Sequence, residues 1–219
     1  MKYEETMKEI IEYLKKTYQP RSILLYGSFS DGTNDEYSDF DCMVITDRKE
    51  RKHDNSVIGG VQLDCFIFTP EETENEADIE TFLTAYDAVI ALDDGTGEKL
   101  KQRVREYVAA HSVIDEEEKR FIAAWIRKTL KRAEKKDDEG SYRAIAFLWE
   151  SLTDYFLLRD LYYFGSKKAI RHLKENDPAG YALFHRAVTN RDNSSIAAWA
   201  EQVVAAVCPE DADSEKTSK

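Results

Sequence analysis

The chain has 219 residues, 42 % of them hydrophobic, and a formal net charge of −12. That length holds one or two domains with a real core. The acidic balance argues against a DNA or RNA substrate, whose grip needs basic surface.

Residues 2–18 place Met7, Ile10, Ile11 and Leu14 at helical spacing, and Pro20 marks the stop. Strands are predicted at about 22–27, 39–46 and 60–68, with His53 to Gly60 as a polar loop that ends in the Gly59-Gly60 turn. Thr69-Pro70-Glu71-Glu72 reads as a helix start. A helix over about 75–85, a strand at 88–92, the Gly95-Thr96-Gly97 turn and a helix to about 111 follow. Beyond the boundary near 111–115 the pattern is helical throughout, at about 115–137, 141–164, 167–176, 178–189 and 193–207. The breaks are expected at Asp137 to Gly140, at Gly165 and at Asn176-Asp177-Pro178, and residues 209–219 read as a disordered polar tail. The fold class is therefore α+β: an N-terminal mixed sheet with flanking helices, then a C-terminal helical bundle. The expected domains are 1–112, 113–208 and the tail 209–219.

No apolar run approaches the ~20 residues that span a bilayer. The N-terminus lacks a signal-peptide core, so a cytoplasmic protein is expected. Cys42, Cys65 and Cys208 are odd in number and far apart. Cys42 and Cys65 read as reduced core thiols. The four histidines are scattered and suggest no zinc site.

Chemistry concentrates in residues 26–41. The apolar run Ile23 to Tyr26 ends at Gly27-Ser28, and a second run opens with Asp39-Phe40-Asp41. Glycine lets backbone approach a ligand closely. Consecutive N–H groups at such a turn, with the Ser28 hydroxyl, can cradle phosphate, and Ser30 and Gly32 extend the polar turn. Side chains two apart on a strand share a face, so Asp39 and Asp41 are expected to point the same way. Two carboxylates with phosphate oxygens and waters suit Mg²⁺. Asp64, in the middle of the strand Val61 to Phe68, is costly to bury unless paired or metal-bound, and beside Asp39 and Asp41 it would make a three-carboxylate centre.

In order and spacing, Gly27-Ser28, Gly32, Ser38-Asp39-Phe40-Asp41 and Asp64 resemble the nucleotidyltransferase superfamily that includes DNA polymerase beta. Leu24 to Ile45 and Asp87 to Val108 are most similar to small bacterial lincosamide and aminoglycoside nucleotidyltransferases. The resemblance implies transfer of an NMP, AMP in the first instance, from an NTP to a hydroxyl of a small molecule, with pyrophosphate released. Gly27, Ser28 and Ser30 would bind the nucleotide, and Asp39, Asp41 and Asp64 would bind Mg²⁺ in a two-metal site. Glu150, the acidic residue in an apolar helical stretch, or Asp64 itself would take the acceptor proton. A cationic acceptor suits the net charge. A monomer or a homodimer is expected, with no membrane partner. Two alternatives keep the same residues: a protein or tRNA acceptor, or a nucleotide-binding module without catalysis. The aromatic run Tyr155, Phe156, Tyr162, Tyr163 and Phe164 reads as core, part of it available to an acceptor pocket.

Overall fold

A computed structural model describes residues 2–135 and 137–207. The expected tail 209–219 and Cys208 lie outside the described residues. The chain divides into two compact units, Met1–Val108 and Ala109–Lys219.

The first unit is built on a mixed six-stranded sheet. Its strands are β1 (Ser22–Leu25), β2 (Phe40–Ile45), β3 (His53–Asp54), β4 (Val57–Ile58), β5 (Val61–Phe68) and β6 (Val89–Leu92). The order is β3-β5-β2-β1-β6, with β4 also pairing β5. Strand β1 is antiparallel to β2 and β6, whereas β2 and β5 run parallel. The helix α1 (Lys2–Tyr18) contributes Ile10, Leu14 and Tyr18 to a buried cluster with Phe40, Cys42, Val44, Leu63, Cys65 and Ile67. These alternate residues of β2 and β5 define the sheet face toward α1. Asp41 and Asp64, each one residue out of phase, therefore face the other way.

The expected loop at 53–60 is instead part of a hairpin. Gly59 and Gly60 both have positive φ, 59° and 83°, as a two-residue hairpin turn requires. Ile58 pairs Val61, Val57 pairs Gln62, and the same register carries on to Asp54 against Cys65 and His53 against Phe66. Polar composition concealed these strands because Asp54 is a buried polar anchor, only 1 % exposed. It accepts hydrogen bonds from Tyr13 at 3.0 Å and Tyr18 at 2.5 Å, and from the Ser56 hydroxyl at 2.6 Å. Burial alone would raise its carboxyl, but the bonds from Ser56, Tyr18 and Tyr13 outweigh burial and hold it below the usual range.

The capping box at Thr69 and Glu72 opens α3 (Pro70–Glu74). The expected helix at 75–85 is a tighter 3-10 helix, Glu76–Ala85, started by the Asn75 side chain accepting from the Ala77 N–H. The last helix to begin in this unit is α4 (Thr96–His111).

The second unit holds α5 (Glu116–Ala133), α6 (Asp138–Leu157), α7 (Ser166–Asn176), α8 (Pro178–Asn190) and α9 (Asn193–Val204). Aspartates at positions 115, 137, 177 and 192 cap α5, α6, α8 and α9, each contributing about 1 kcal/mol. Capping moves one expected break. Asp137 accepts from the Gly140 N–H at 2.7 Å, so Asp138 to Gly140 form the first turn of α6. That helix also stops earlier than expected, at Leu157. Arg159 donates to the Val203 and Gln202 carbonyls, and Asp160, at φ 55°, pairs with Lys119 at 2.7 Å. These bonds turn the chain away, so Tyr162 to Phe164 lie in a non-helical, half-buried segment. Fully buried Trp199 stacks on Tyr155 and donates to the Ser151 hydroxyl at 2.8 Å.

Candidate active site

The site begins where β1 ends. Its four residues are all buried, so the strand must terminate before it can present anything to solvent. Gly27 makes the turn at φ 69° and ψ −158°, and the short helix α2 (Ser28–Asp31) follows. That backbone region is open to glycine almost alone. Gly27 also lies directly on Asp41. A Cβ added at Gly27 would overlap the Asp41 carboxylate oxygen and come 2.8 Å from its Cγ. The turn and the carboxylate are therefore one packed unit, held further by the Tyr26 N–H donating to the Asp41 carbonyl at 3.2 Å.

The turn residues differ in what they can offer. Ser28 is 8 % exposed. Ser30 commits both its N–H and its hydroxyl to the Gly27 carbonyl, at 3.2 and 2.8 Å. Its hydroxyl supports the turn and must rotate away before it can meet a phosphate.

Asp41 and Asp64 are register partners on the adjacent parallel strands β2 and β5. Asp39 is not in the strand, contrary to expectation. Asp35 accepts from the Ser38 hydroxyl at 2.9 Å and from the Tyr37 N–H at 3.0 Å. This turn occupies the chain up to Ser38, and β2 starts at Phe40. The alternation argument for a shared face of Asp39 and Asp41 therefore does not apply. Asp39 is exposed and lines a surface cavity of about 290 Å³ with Thr6, Ser38, Gly59, Gly60 and Gln62.

A residue that the sequence reading passed over completes the picture. His53 Nε2 sits 2.6 Å from Asp64 Oδ1. The tautomer with its proton on Nε2 is the one that donates to this carboxylate. The buried Asp54 pins β3, and alternation then turns His53 to the face of Asp64. The signal was available: counting back from Gly59-Gly60 in hairpin register puts position 53 opposite 66, diagonal to 64.

Among the described residues, no three or more His, Cys, Asp or Glu side chains are grouped as a metal cage. Asp64 pairs with His53, and Asp39 lies one residue before β2. The donor set still fits a hard divalent cation. Mg²⁺ commonly takes only one or two carboxylates and completes its shell with waters and substrate phosphates, and the turn that would approach those phosphates touches Asp41.

A family model described as a nucleotidyltransferase domain matches residues 7–145, more than half of the chain. The chain belongs to the nucleotidyltransferase domain family. A search of curated proteins found no match. Family membership makes the chain a transferase, and nucleotidyltransferases generally use an NTP and a divalent metal.

In the helical unit of this nucleotidyltransferase, Glu150 is exposed on α6 and lines a cavity with Leu148, Thr153 and Tyr163. Tyr163, from the aromatic run, lines this cavity. Asp154, one turn after Glu150, is half-buried, and burial together with the Glu150 charge pushes its carboxyl up to about 6. The i, i+4 spacing of the two carboxylates is visible in the sequence; the burial of Asp154 is not. No helix among the described residues is long and apolar enough to cross a membrane.

Proposed function

We propose that this chain is a Mg²⁺-dependent nucleotidyltransferase that moves an NMP, AMP in the first instance, from an NTP to a hydroxyl of a small molecule. The packing of Gly27 onto the Asp41 carboxylate carries the reading, because it joins a turn suited to phosphate with an oxygen ligand suited to a cation. Aminoglycosides and lincosamides are the first acceptors to test, and an intracellular role suits an NTP substrate. In this reading residues 1–112 supply the chemistry and 113–208 bind the acceptor.

The acceptor oxygen attacks the α-phosphorus. A P–O bond forms to the acceptor, the bond to the β-phosphate breaks, and pyrophosphate leaves with the electron pair. Gly27 and Ser28 hold the β- and γ-phosphates through N–H groups and a hydroxyl. Asp39 and Asp41 would hold the cation, with Asp64 as a further oxygen donor. When bound, the cation neutralises charge that builds on the phosphate oxygens. The acceptor proton passes to a carboxylate, either Asp64 or Glu150. Glu150→Gln alongside Asp64→Asn separates these: loss of the acidic limb of the kcat profile, where protonation silences the base, marks it.

The deciding experiment incubates the full chain with ATP, GTP, CTP or UTP, Mg²⁺ and a panel of aminoglycosides and lincosamides. The expected result is Mg²⁺-dependent pyrophosphate release and an acceptor heavier by one NMP in mass spectrometry. A nucleotide found instead on protein or tRNA overturns the small-molecule acceptor. Nucleotide binding without any pyrophosphate release overturns the enzyme reading.

His53 gives a second prediction. Its pair with Asp64 is about 40 % exposed on both sides, so His53→Ala is expected to change stability by less than about 1 kcal/mol. Loss of a residue that orients a ligand commonly lowers activity about 10- to 100-fold. The expected signature is a fall in kcat with KM for the NTP retained, partly restored by His53→Asn. Steady-state kinetics and urea unfolding check both halves.

A further inference from the structure

The helical unit carries a concavity lined by Glu150, one of the two candidate bases. It encloses about 680 Å³ between α6, α7, α8 and the non-helical segment at Tyr163. That is the size of a small-molecule site. Leu148, Leu152, Ile170 and Phe184 line it, and Trp149 forms its lip at 89 % exposure. Ile145 and Val188, 54 % and 40 % exposed, line the same cavity. Three large apolar side chains around one opening present more apolar surface to water than scattered exposed residues do, and such a patch marks a contact site.

The charges around the cavity are uneven. Glu150 lines it, and Asp154 follows one turn later on α6. Arg191 is the only Lys or Arg among the described lining residues and keeps its charge while its Nε donates to the Val188 carbonyl at 3.1 Å, so two carboxylates, Glu150 and Asp154, stand against one guanidinium. An occupant therefore meets an apolar floor and an acidic side. A polycationic sugar fits the charge but not the floor, because its hydroxyls would be buried there without partners. A neutral hydrocarbon fits the floor and leaves the carboxylates unpaired.

We infer that this cavity binds a small amphiphilic amine, its apolar body against Leu148 and Phe184 and its ammonium group at Glu150. The site lies wholly within the helical unit, which the proposed reaction assigns to the acceptor; the inference rests on that reading for the role of the ligand, while binding itself is read without transfer. Burying the apolar body supplies most of the affinity, and Glu150 supplies the preference for the cation.

The test uses the full chain and three matched probes: 6-phenylhexylamine, the neutral 6-phenylhexanol and the anionic 6-phenylhexanoate, with 2-deoxystreptamine as the polar polyamine. Trp149 reports occupancy directly through a blue shift of its emission, and Trp149→Phe should remove that shift. The expected result is saturable binding with the amine about fivefold tighter than the alcohol, the range of a partly exposed ion pair. Glu150→Gln, at an exposed position, should bring the two to equal affinity while leaving the alcohol unchanged. No saturable shift with any probe overturns the site. Equal affinity for amine and alcohol in the unaltered chain, tighter binding of the carboxylate, or tighter binding of 2-deoxystreptamine overturns the ligand class. None of these readouts uses nucleotide transfer, so failure here leaves the proposed reaction standing, and failure of the reaction leaves this site standing.

Discussion

Gly27→Ala is expected to cut nucleotidyl transfer by about 100-fold or more and to destabilise the first unit by about 1–3 kcal/mol. Two independent effects act at this position. The backbone sits at φ 69° and ψ −158°, where a Cβ is strained whatever surrounds it. The added methyl would also lie 2.8 Å from Asp41 Cγ and 3.1 Å from its Cβ, so the carboxylate must move. A displacement on the order of 1 Å at a catalytic group costs about two decades of rate. Gly32→Ala is the matched control. Gly32 has φ 74°, but nothing lies within 4 Å of its would-be Cβ. That change carries only the left-handed backbone cost of about 1–2 kcal/mol, and activity should hold. Urea unfolding and kcat for both variants check the comparison. Equal losses of activity would mean that the turn acts through stability alone.

The path of β1, β2 and β5 was legible because their buried runs are continuous or strictly alternating and end at small-residue turns. The pairing of Asp41 with Asp64 was not, since nothing local distinguishes a parallel neighbour from an antiparallel one. Strands β3 and β4 were lost to polar composition, because tyrosine hydroxyls forty residues away satisfy Asp54. Gly59-Gly60 nevertheless held the register, and with it the contact of His53 to Asp64. Asp39 was placed on a strand by spacing, yet the Asp35–Ser38 turn bonds hold the chain out of β2. In the second unit, the acidic run at 137–140 was read as a break. Its first aspartate is a cap, and acidic residues in the next turn are what a helix N-terminus favours. The burial that raises Asp154 depends on how the helices pack, which helical spacing alone does not determine.

Asp41→Asn separates function from stability. Asp41 stands beside Asp64 in register, and like charges opposite one another on neighbouring strands are destabilising by about 0.2–1 kcal/mol. Neutralising one of them removes that repulsion while the amide keeps the shape against Gly27. Without metal, the variant is therefore expected to stay within about 1 kcal/mol of the parent. Activity should change far more. A carboxylate that holds a cation across the phosphates contributes several kcal/mol to the transition state, and each 1.36 kcal/mol is a decade, so transfer should fall by about 10³-fold or more. The parent should also gain thermal stability on adding Mg²⁺ with a non-hydrolysable NTP analogue, by mass action on the folded state, and Asp41→Asn should lose that gain. Thermal unfolding with and without Mg²⁺, beside pyrophosphate release, reads all three. An Asp41→Asn protein that keeps both its Mg²⁺-dependent shift and its activity removes Asp41 from the metal site. One that loses activity only by unfolding makes Asp41 a structural support for the Gly27 turn.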